Sequence, residues 1–247
     1  RISIGCQSVH DEELKRLGRI HTFAEFQESF VLARDAGFAN INVDLMSGLP
    51  EQSEEKWEES LRTIAELSPE HISAYSLIVE PGTPFAEQKL DLPDEDTERE
   101  MYARTAEILA EYGFFQYEIS NYARKGYACR HNLGYWSRRD YKGFGLGASS
   151  LLNSVRSTVQ EDLTEYLRGN FAGSNEHLSE QDIREEYFFL GLRKMEGVDP
   201  GPYREHYEKL LEELQKQQLL QEKNCKICLT DYGIDVSNYV LAQFLDD

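Results

Sequence analysis

The chain lacks a long hydrophobic run. Its longest apolar stretch, near residues 72–79, is far shorter than the about 20 residues that cross a bilayer as a helix. No signal peptide is recognised, because the chain opens on a strand-like pattern at residues 1–5. It also lacks an initiator methionine, so we expect it to be part of a longer protein.

Basic residues are scarce relative to acidic ones. There are 26 lysines and arginines against 45 aspartates and glutamates, which gives a net charge of −19. Such a surface repels phosphate backbones and anionic lipids, so we expect neither nucleic-acid binding nor strong membrane binding. An anionic ligand would need local basic groups, which Arg124, Lys125 and Arg130 provide.

Cysteines are also few. The four thiols, Cys6, Cys129, Cys225 and Cys228, do not have the spacing of a secreted disulfide framework, which predicts a reducing, cytoplasmic location. Cys225 and Cys228 form a C-x-x-C pair that could bind a metal or act in redox chemistry. Because no second pair or nearby histidine accompanies it, we favour an ordinary strand or surface role.

Strand and helix patterns alternate over residues 1–120. Thr22, Ser53 and Asp94 each precede an apolar helical pattern, as helix-capping residues do. Short apolar strands lie between these helices, near residues 2–5, 41–46, 71–79 and 115–119. Repeated strand–helix units predict an α/β fold with a parallel sheet or barrel.

The pattern becomes mainly helical from about residue 151. Ser179 and Pro200 begin two helices, a short strand follows at residues 226–229, and a final helix is predicted at residues 236–245. This order predicts a winged-helix-like domain over residues 151–247, joined to the first domain by a connecting segment at residues 121–150. The acidity of the domain argues against DNA binding.

The segment CRHNLGYW at residues 129–136 carries the most chemistry. It places the His131 imidazole beside an arginine and two aromatic rings, and a glycine-rich turn follows at residues 143–147. These groups suit a large, flat, anionic molecule that contains a metal, such as haem. We expect an irregular polar loop here. The alternative is a structural histidine, with Tyr135 and Trp136 packed in the core.

Several motifs in one order resemble a known family. These are ISIGCQS at residues 2–8, LGR at 17–19, NINVDLMSGLP at 40–50, EPGTPF at 80–85, QYEISN at 116–121 and HNLGYW at 131–136. Together they resemble the radical-SAM family that contains oxygen-independent coproporphyrinogen III oxidase and a related haem chaperone. The resemblance covers nearly the whole chain, and the His-Asn-x-x-Tyr-Trp motif is similar to the chaperone branch. It implies that residues 1–120 are the second half of a partial TIM-like barrel.

The resemblance also implies a site for S-adenosylmethionine. Matching positions in the family contact this cofactor, and here they are Gln7, Arg19, Asp44 and Ile78. The chemistry of these side chains agrees with such a ligand. A zwitterionic nucleoside is suited by a carboxamide, a guanidinium, a carboxylate and an apolar wall at strand ends. Each residue also has an ordinary alternative, such as a surface charge for Arg19. Ser149 is included, although relatives often carry a histidine there.

For haem, the resemblance implies that His131 binds the iron. Arg130 would pair with a propionate, and Tyr135 and Trp136 would pack on the macrocycle. Because a serine stands at position 149, a site with two histidines is in doubt. Radical-SAM chemistry further needs a [4Fe–4S] cluster on Cys-x-x-x-Cys-x-x-Cys, and this triplet is absent from the chain. We expect the cluster cysteines in the rest of the intact protein.

Three functions remain open at this point. The leading hypothesis is a haem chaperone that passes haem to an acceptor protein, which the sequence does not identify. The second is oxygen-independent coproporphyrinogen III dehydrogenase, a radical-SAM enzyme of porphyrin biosynthesis. The third is an acidic protein-interaction module that retains the barrel without its chemistry.

Overall fold

The computed structural model describes residues 1–245. The chain forms two compact units, one of residues Arg1–Ala128 and a second that begins at Cys129. The predicted division at residues 120 and 150 stays a prediction. The last predicted domain runs to residue 247, and residues 246–247 lie outside the described residues. None of the helices within residues 1–245 is both long and apolar enough to cross a bilayer.

The first unit alternates strands and helices. Its elements are β1 (Ile2–Gln7), α1 (Asp11–Arg16), α2 (Phe23–Asp35), β2 (Ile41–Ser47), α3 (Glu54–Glu66), β3 (His71–Ser76), α4 (Glu95–Glu111), β4 (Phe115–Glu118) and β5 (Asn121–Ala123). The predicted caps are confirmed, because the side chains of Thr22, Ser53 and Asp94 accept hydrogen bonds from first-turn amides. Thr22 and Glu25 form the complete capping box.

The five strands form one open sheet in the order β1-β2-β3-β5-β4. β1, β2 and β3 are parallel, as predicted. The predicted strand at residues 115–119, β4, runs in the same direction as these three, but the sheet also contains an unpredicted strand, β5, which lies between β3 and β4 and pairs antiparallel with both. The two-residue connection between β4 and β5 accounts for the antiparallel pairing of these two strands, because so short a connection joins only antiparallel strands.

The two faces of this sheet differ. Ile41, Val43 and Leu45 of β2 are fully buried in the hydrophobic core, together with helix residues such as Trp57 and Leu61. The other face is polar, and the parallel register aligns Asn42 and Asp44 of β2 with His71 and Ser73 of β3. Parallel strands that are covered by other elements on both faces of the sheet carry apolar residues on both faces. The polar residues on this face therefore indicate a ligand-binding site.

The second unit contains α5 (Arg130–Trp136), β6 (Ser149–Leu152), β7 (Val155–Thr158), α6 (Leu163–Leu167), β8 (Asn175–His177), α7 (Glu180–Gly191), α8 (Arg204–Lys216), β9 (Leu220–Lys223), β10 (Lys226–Leu229), α9 (Asp231–Asp235) and α10 (Ser237–Ala242). From α7 onward it has the predicted winged-helix-like order of two helices, a β9–β10 hairpin and closing helices. Its core stacks Phe188 on Phe244 with ring centroids 4.6 Å apart.

Three expectations for this unit are wrong. Residues 130–136 form a helix rather than a polar loop. The sequence did not predict this helix because Cys129, at its N-terminus, is not a residue that caps helices and makes no capping hydrogen bond. β6, β7 and β8 form an antiparallel sheet within a region predicted as helical. These strands have at most four residues, too few to show a periodic pattern. The predicted final helix is two short helices, α9 and α10.

Candidate functional site

A hydrogen-bonded chain of side chains crosses the polar face of the first sheet. The amide nitrogen of Asn42 donates to Asp44 Oδ1 at 2.8 Å, and Asn42 Oδ1 accepts from His71 Nδ1 at 2.5 Å. His71 Nε2 lies 2.8 Å from the Tyr117 hydroxyl. Burial lowers the pKa of His71 to about 3, and the charge of Arg1 acts in the same direction. His71 is therefore a neutral, internally satisfied imidazole.

One of the predicted nucleoside-binding residues, Gln7, contacts the Tyr75 hydroxyl, and the charges of two others, Asp44 and Arg19, act on that hydroxyl. The Tyr75 hydroxyl donates to Gln7 Oε1 at 3.2 Å. Burial raises the pKa of Tyr75, the Asp44 carboxylate raises it further, and Arg19 and the Gln7 hydrogen bond oppose this. A carboxamide, a carboxylate and a guanidinium thus act on the same point. Gln7 has a φ of 69° at a bulge that ends β1, which turns its side chain off the regular strand path.

Ile78 and Ser149 are placed differently. Ile78 follows the carboxyl end of β3 and its side chain is 74% exposed. Ser149 begins β6 and belongs to the second unit. Gln7 therefore contacts Tyr75, the charges of Asp44 and Arg19 act on the same tyrosine, and Ile78 lies at the same end of the sheet as Gln7. The contact of Ser149 with the same ligand stays a prediction.

The cysteines do not form a metal site. Cys6 is buried, which raises the pKa of its thiol well above the ordinary value. Cys225 is exposed in a turn, whereas Cys228 is buried in β10 with its sulfur 3.7 Å from the Gln221 carbonyl oxygen. Within residues 1–245, no three histidine, cysteine or acidic side chains are placed to hold a metal ion. This part of the chain therefore does not fit a [4Fe–4S] cluster.

The α5 helix presents the His131 ring on its surface. His131 is exposed, and its ring packs edge-on against Tyr135 with centroids 4.5 Å apart, as the i, i+4 spacing of a helix allows. Tyr135 in turn packs against Tyr141 at 4.6 Å. Among the described residues, neither His131 nitrogen has a hydrogen-bond partner. Both nitrogens are therefore available to a ligand.

Trp136 does not share the face of His131. The Arg193 guanidinium lies 4.5 Å from the centroid of its ring. Within residues 1–245, the Trp136 indole nitrogen and the Arg193 Nε are buried without a hydrogen-bond partner. Buried donors without an acceptor are costly, which makes this a place where an anionic or carbonyl oxygen would be stabilised. Arg130 is exposed at the start of α5.

A pocket of about 160 Å³ lies against the other end of α5. Its walls include Tyr135, Arg138, Arg139, Tyr141, Arg156 and Glu186. Arg138 Nε donates to Glu186 Oε2 at 2.5 Å, and Arg156 pairs with the other carboxylate oxygen of Glu186. The pocket is therefore rich in guanidinium groups around one buried carboxylate.

Gly143 shows why the glycine-rich segment is needed. A Cβ built on Gly143 would lie 2.1 Å from the carbonyl oxygen of Ser149, so only glycine allows this backbone approach. The glycine-rich segment at residues 143–147 was expected to let the backbone approach a ligand closely. At Gly143 the close approach is instead to the backbone of Ser149, at the start of β6.

Comparisons with known proteins agree with this architecture. Residues 1–64 match the model of the radical SAM superfamily, and residues 178–236 match that of the HemN C-terminal domain. The haem chaperone HemW of Bacillus subtilis is 36% identical over 100% of this chain and 70% of its own length. That of Haemophilus influenzae is 38% identical over 100% of this chain and 68% of its length. The chain belongs to the HemW/HemN-like radical-SAM family.

A solved structure shows the same fold. The coproporphyrinogen III oxidase HemN of Escherichia coli, described as a radical SAM enzyme, superimposes with a TM-score of 0.80 at 22% identity. The match covers 98% of this chain and 63% of that one. The partial barrel and winged-helix-like order predicted from the sequence are thus the fold of this family. The chain spans about two thirds of the length of these relatives.

Sequence reasoning missed several residues of these sites. Tyr75 could have been found, because it alternates with His71 and Ser73 along β3 and so shares their face. Arg138, Arg156, Glu186 and Arg193 carried no local signal. They meet only because α5, β7 and α7 pack together, and two of the ion-paired residues are 48 positions apart.

Proposed function

We propose that this protein binds haem through the His131 imidazole and passes it to an acceptor protein. The observation that carries the proposal is the exposed His131 ring, whose nitrogens have no partner within residues 1–245. An imidazole nitrogen is a common axial ligand of haem iron. The name of the HemW relatives, haem chaperone, supports the same function.

The surroundings of His131 fit an anionic macrocycle. Arg130 is exposed next to His131 and pairs with a propionate, while Tyr135 provides aromatic surface; the contact of Trp136 with the macrocycle stays a prediction. The buried donors of Trp136 and Arg193 favour an oxygen-bearing ligand nearby. The iron, when bound, supplies the coordination bond that holds the ligand. The chain's own residues orient the macrocycle and balance its charge.

A second cofactor is proposed for the first unit. Gln7, Arg19, Asp44 and Ile78 contact S-adenosylmethionine, since Arg19 suits its carboxylate and Asp44 its ammonium or ribose hydroxyls. The Gln7 contact with Tyr75 and the charges that act on that tyrosine support this proposal. The place of Ser149 in that set stays a prediction. A [4Fe–4S] cluster needs several thiolates close together, which the described residues do not provide.

The location and the partners are also proposals. Free thiols without a disulfide framework suit a reducing cytoplasm. The net charge of −19 argues against nucleic acid and against strong binding to anionic membranes. The remaining partner is a haem-acceptor protein, which receives the ligand from the exposed α5 surface.

The test is a Soret-band titration of purified protein with haemin. We expect His131→Ala to abolish haem binding while circular dichroism and the unfolding midpoint stay unchanged, because the ring is exposed. His177→Ala removes another exposed imidazole of the second unit, in β8, and is the matched control. Equal affinity of the wild type and His131→Ala would contradict the role of His131.

The oxidase alternative is tested in the same preparation. The likeness to HemN at 22% identity establishes the fold and does not favour the enzyme activity. Full-length protein with a reconstituted cluster is incubated with coproporphyrinogen III. Haem retention without decarboxylation supports the chaperone, and turnover to protoporphyrinogen IX supports the enzyme.

A further inference from the structure

The lining of the pocket beside α5 carries more guanidinium groups than carboxylates, in a protein that is strongly acidic. Three guanidinium groups, those of Arg138, Arg139 and Arg156, line it, against a single lining carboxylate, that of Glu186. Two more acidic groups act on these arginines from outside. Glu176 pairs with Arg156 at 3.2 Å. Hydrogen bonds from Ser179 lower the pKa of Asp182, and the charges of Arg156 and Arg138 lower it further.

The three arginines are not equally engaged. Arg156 is shared between Glu176 and Glu186. Arg138 is 14% exposed and gives its Nε to Glu186, but its Nη2 is buried with no acceptor in the described part of the chain. Arg139 has no ion pair or side-chain hydrogen bond within residues 1–245. The pocket therefore holds guanidinium donors, those of Arg139 and the Nη2 of Arg138, for which the described residues supply no acceptor.

The size of the pocket limits what it accepts. Its volume of about 160 Å³ corresponds to roughly five water molecules, at about 30 Å³ each. Leu151 and Leu190 add apolar wall to the cationic rim. A short apolar arm that ends in a carboxylate matches both features, whereas a complete porphyrin macrocycle needs more room.

We propose that this pocket binds a propionate-type carboxylate arm of the haem whose iron His131 binds, with Arg139 and Arg138 Nη2 as its donors. The inference rests on the proposed function. Tyr135 links the two places, because its ring contacts His131 at 4.5 Å and also lines the pocket. Guanidinium groups suit carboxylates because they donate two parallel hydrogen bonds and stay charged.

The experiment compares haemin with haemin dimethyl ester, in which both propionates are neutral esters. Soret titrations are run on purified wild type, on Arg139→Gln, and on Arg204→Gln as the control at a half-exposed arginine of α8. We expect the wild type to bind the ester at least about tenfold more weakly than haemin, because each charge-assisted hydrogen bond lost with the propionate charges is worth about a factor of ten or more. Arg139→Gln should weaken the binding of haemin by about tenfold and leave the binding of the ester unchanged. Arg204→Gln behaves as the wild type.

The Soret position gives a second readout. It stays unchanged in Arg139→Gln, because the iron ligand is His131 and the arginine acts only on the carboxylate. Equal affinity of the wild type for haemin and its ester overturns the pocket proposal and the pairing of Arg130 with a propionate, but leaves the binding of the iron by His131 standing. The pocket proposal also fails if Arg139→Gln weakens both ligands equally. Absence of haemin binding by the wild type overturns the proposed function, and the pocket proposal with it.

Discussion

The polar face of the first sheet and the α5 surface each contain a histidine next to a tyrosine, but the two imidazoles have different surroundings. His71 is buried, and both of its nitrogens are engaged, by Asn42 and by Tyr117. His131 is exposed, and within residues 1–245 its nitrogens contact no partner. A histidine whose hydrogen bonds are complete stabilises the fold, whereas one whose nitrogens are free is available for a ligand.

The same contrast extends to the charged groups. In the first unit, the Asp44 carboxylate accepts a hydrogen bond from Asn42 and joins a chain of neutral groups. Near α5, guanidinium groups outnumber the carboxylates of the pocket, and Arg138 Nη2 and Trp136 Nε1 lack acceptors among the described residues. Within residues 1–245, the buried atoms near α5 that lack an acceptor are nitrogen donors, whereas the unsatisfied buried atoms of the first unit, such as the hydroxyls of Ser60 and Tyr122, are oxygens, and this difference distinguishes the two regions.

The largest effect on stability is expected at Glu186. Its carboxylate is 5% exposed and bridges Arg138 and Arg156, so Glu186→Ala leaves a buried guanidinium without its counter-charge. We expect a loss of about 3–5 kcal/mol in the free energy of unfolding, measured by urea denaturation. Glu176→Ala is the matched control, since Glu176 also pairs with Arg156 but is 58% exposed. It should cost at most about 1 kcal/mol. Similar losses in both would contradict the buried role of Glu186.

The next prediction compares the two histidines directly. His71→Ala removes two buried hydrogen bonds, at about 1 kcal/mol each, and leaves a cavity, so we expect it to destabilise the fold by about 2–4 kcal/mol. His131→Ala should change the free energy of unfolding by no more than about 0.5 kcal/mol, because the ring is exposed. The measurement is denaturant unfolding of both variants under the same conditions. The comparison between the two sites fails if His131→Ala costs as much as His71→Ala.

The smallest effect, taken over a single pH unit, is a pH dependence assigned to His71. Its pKa falls from 6.5 to about 3 on folding, so the unfolded state binds more protons between these values. The contribution of neutral His71 to the free energy of unfolding is complete above pH 6.5. It is lost as the pH falls toward 3, with a slope approaching about 1.4 kcal/mol per pH unit. When the free energy of unfolding is measured at several pH values, His71→Ala should reduce this slope by the amount that corresponds to about one bound proton, about 1.4 kcal/mol per pH unit. His131→Ala should keep the wild-type slope, and an unchanged slope in both variants would remove His71 as its source.

Much of the first unit could be predicted from the sequence because its signals are local. Thr22 with Glu25 and Ser53 with Lys56 mark helix starts within four residues of chain, and the structure contains both helices. Residues 130–136 had no such signal, since Cys129 is a poor cap and Gly134 lies inside the helix. The packing of α5 against α7 overrides these local preferences.

The sequence alone determined the alternating strand–helix pattern, the net charge, and the residue types that a haem or nucleoside ligand requires, because these depend on composition and on spacing along the chain. The tertiary structure decided which of those side chains remain free. Gln7 meets Tyr75 across 68 positions, and Arg138 meets Glu186 across 48. Whether a donor is satisfied depends on such distant partners, and therefore the freedom of His131 and the excess of guanidinium groups beside it are properties of the folded chain.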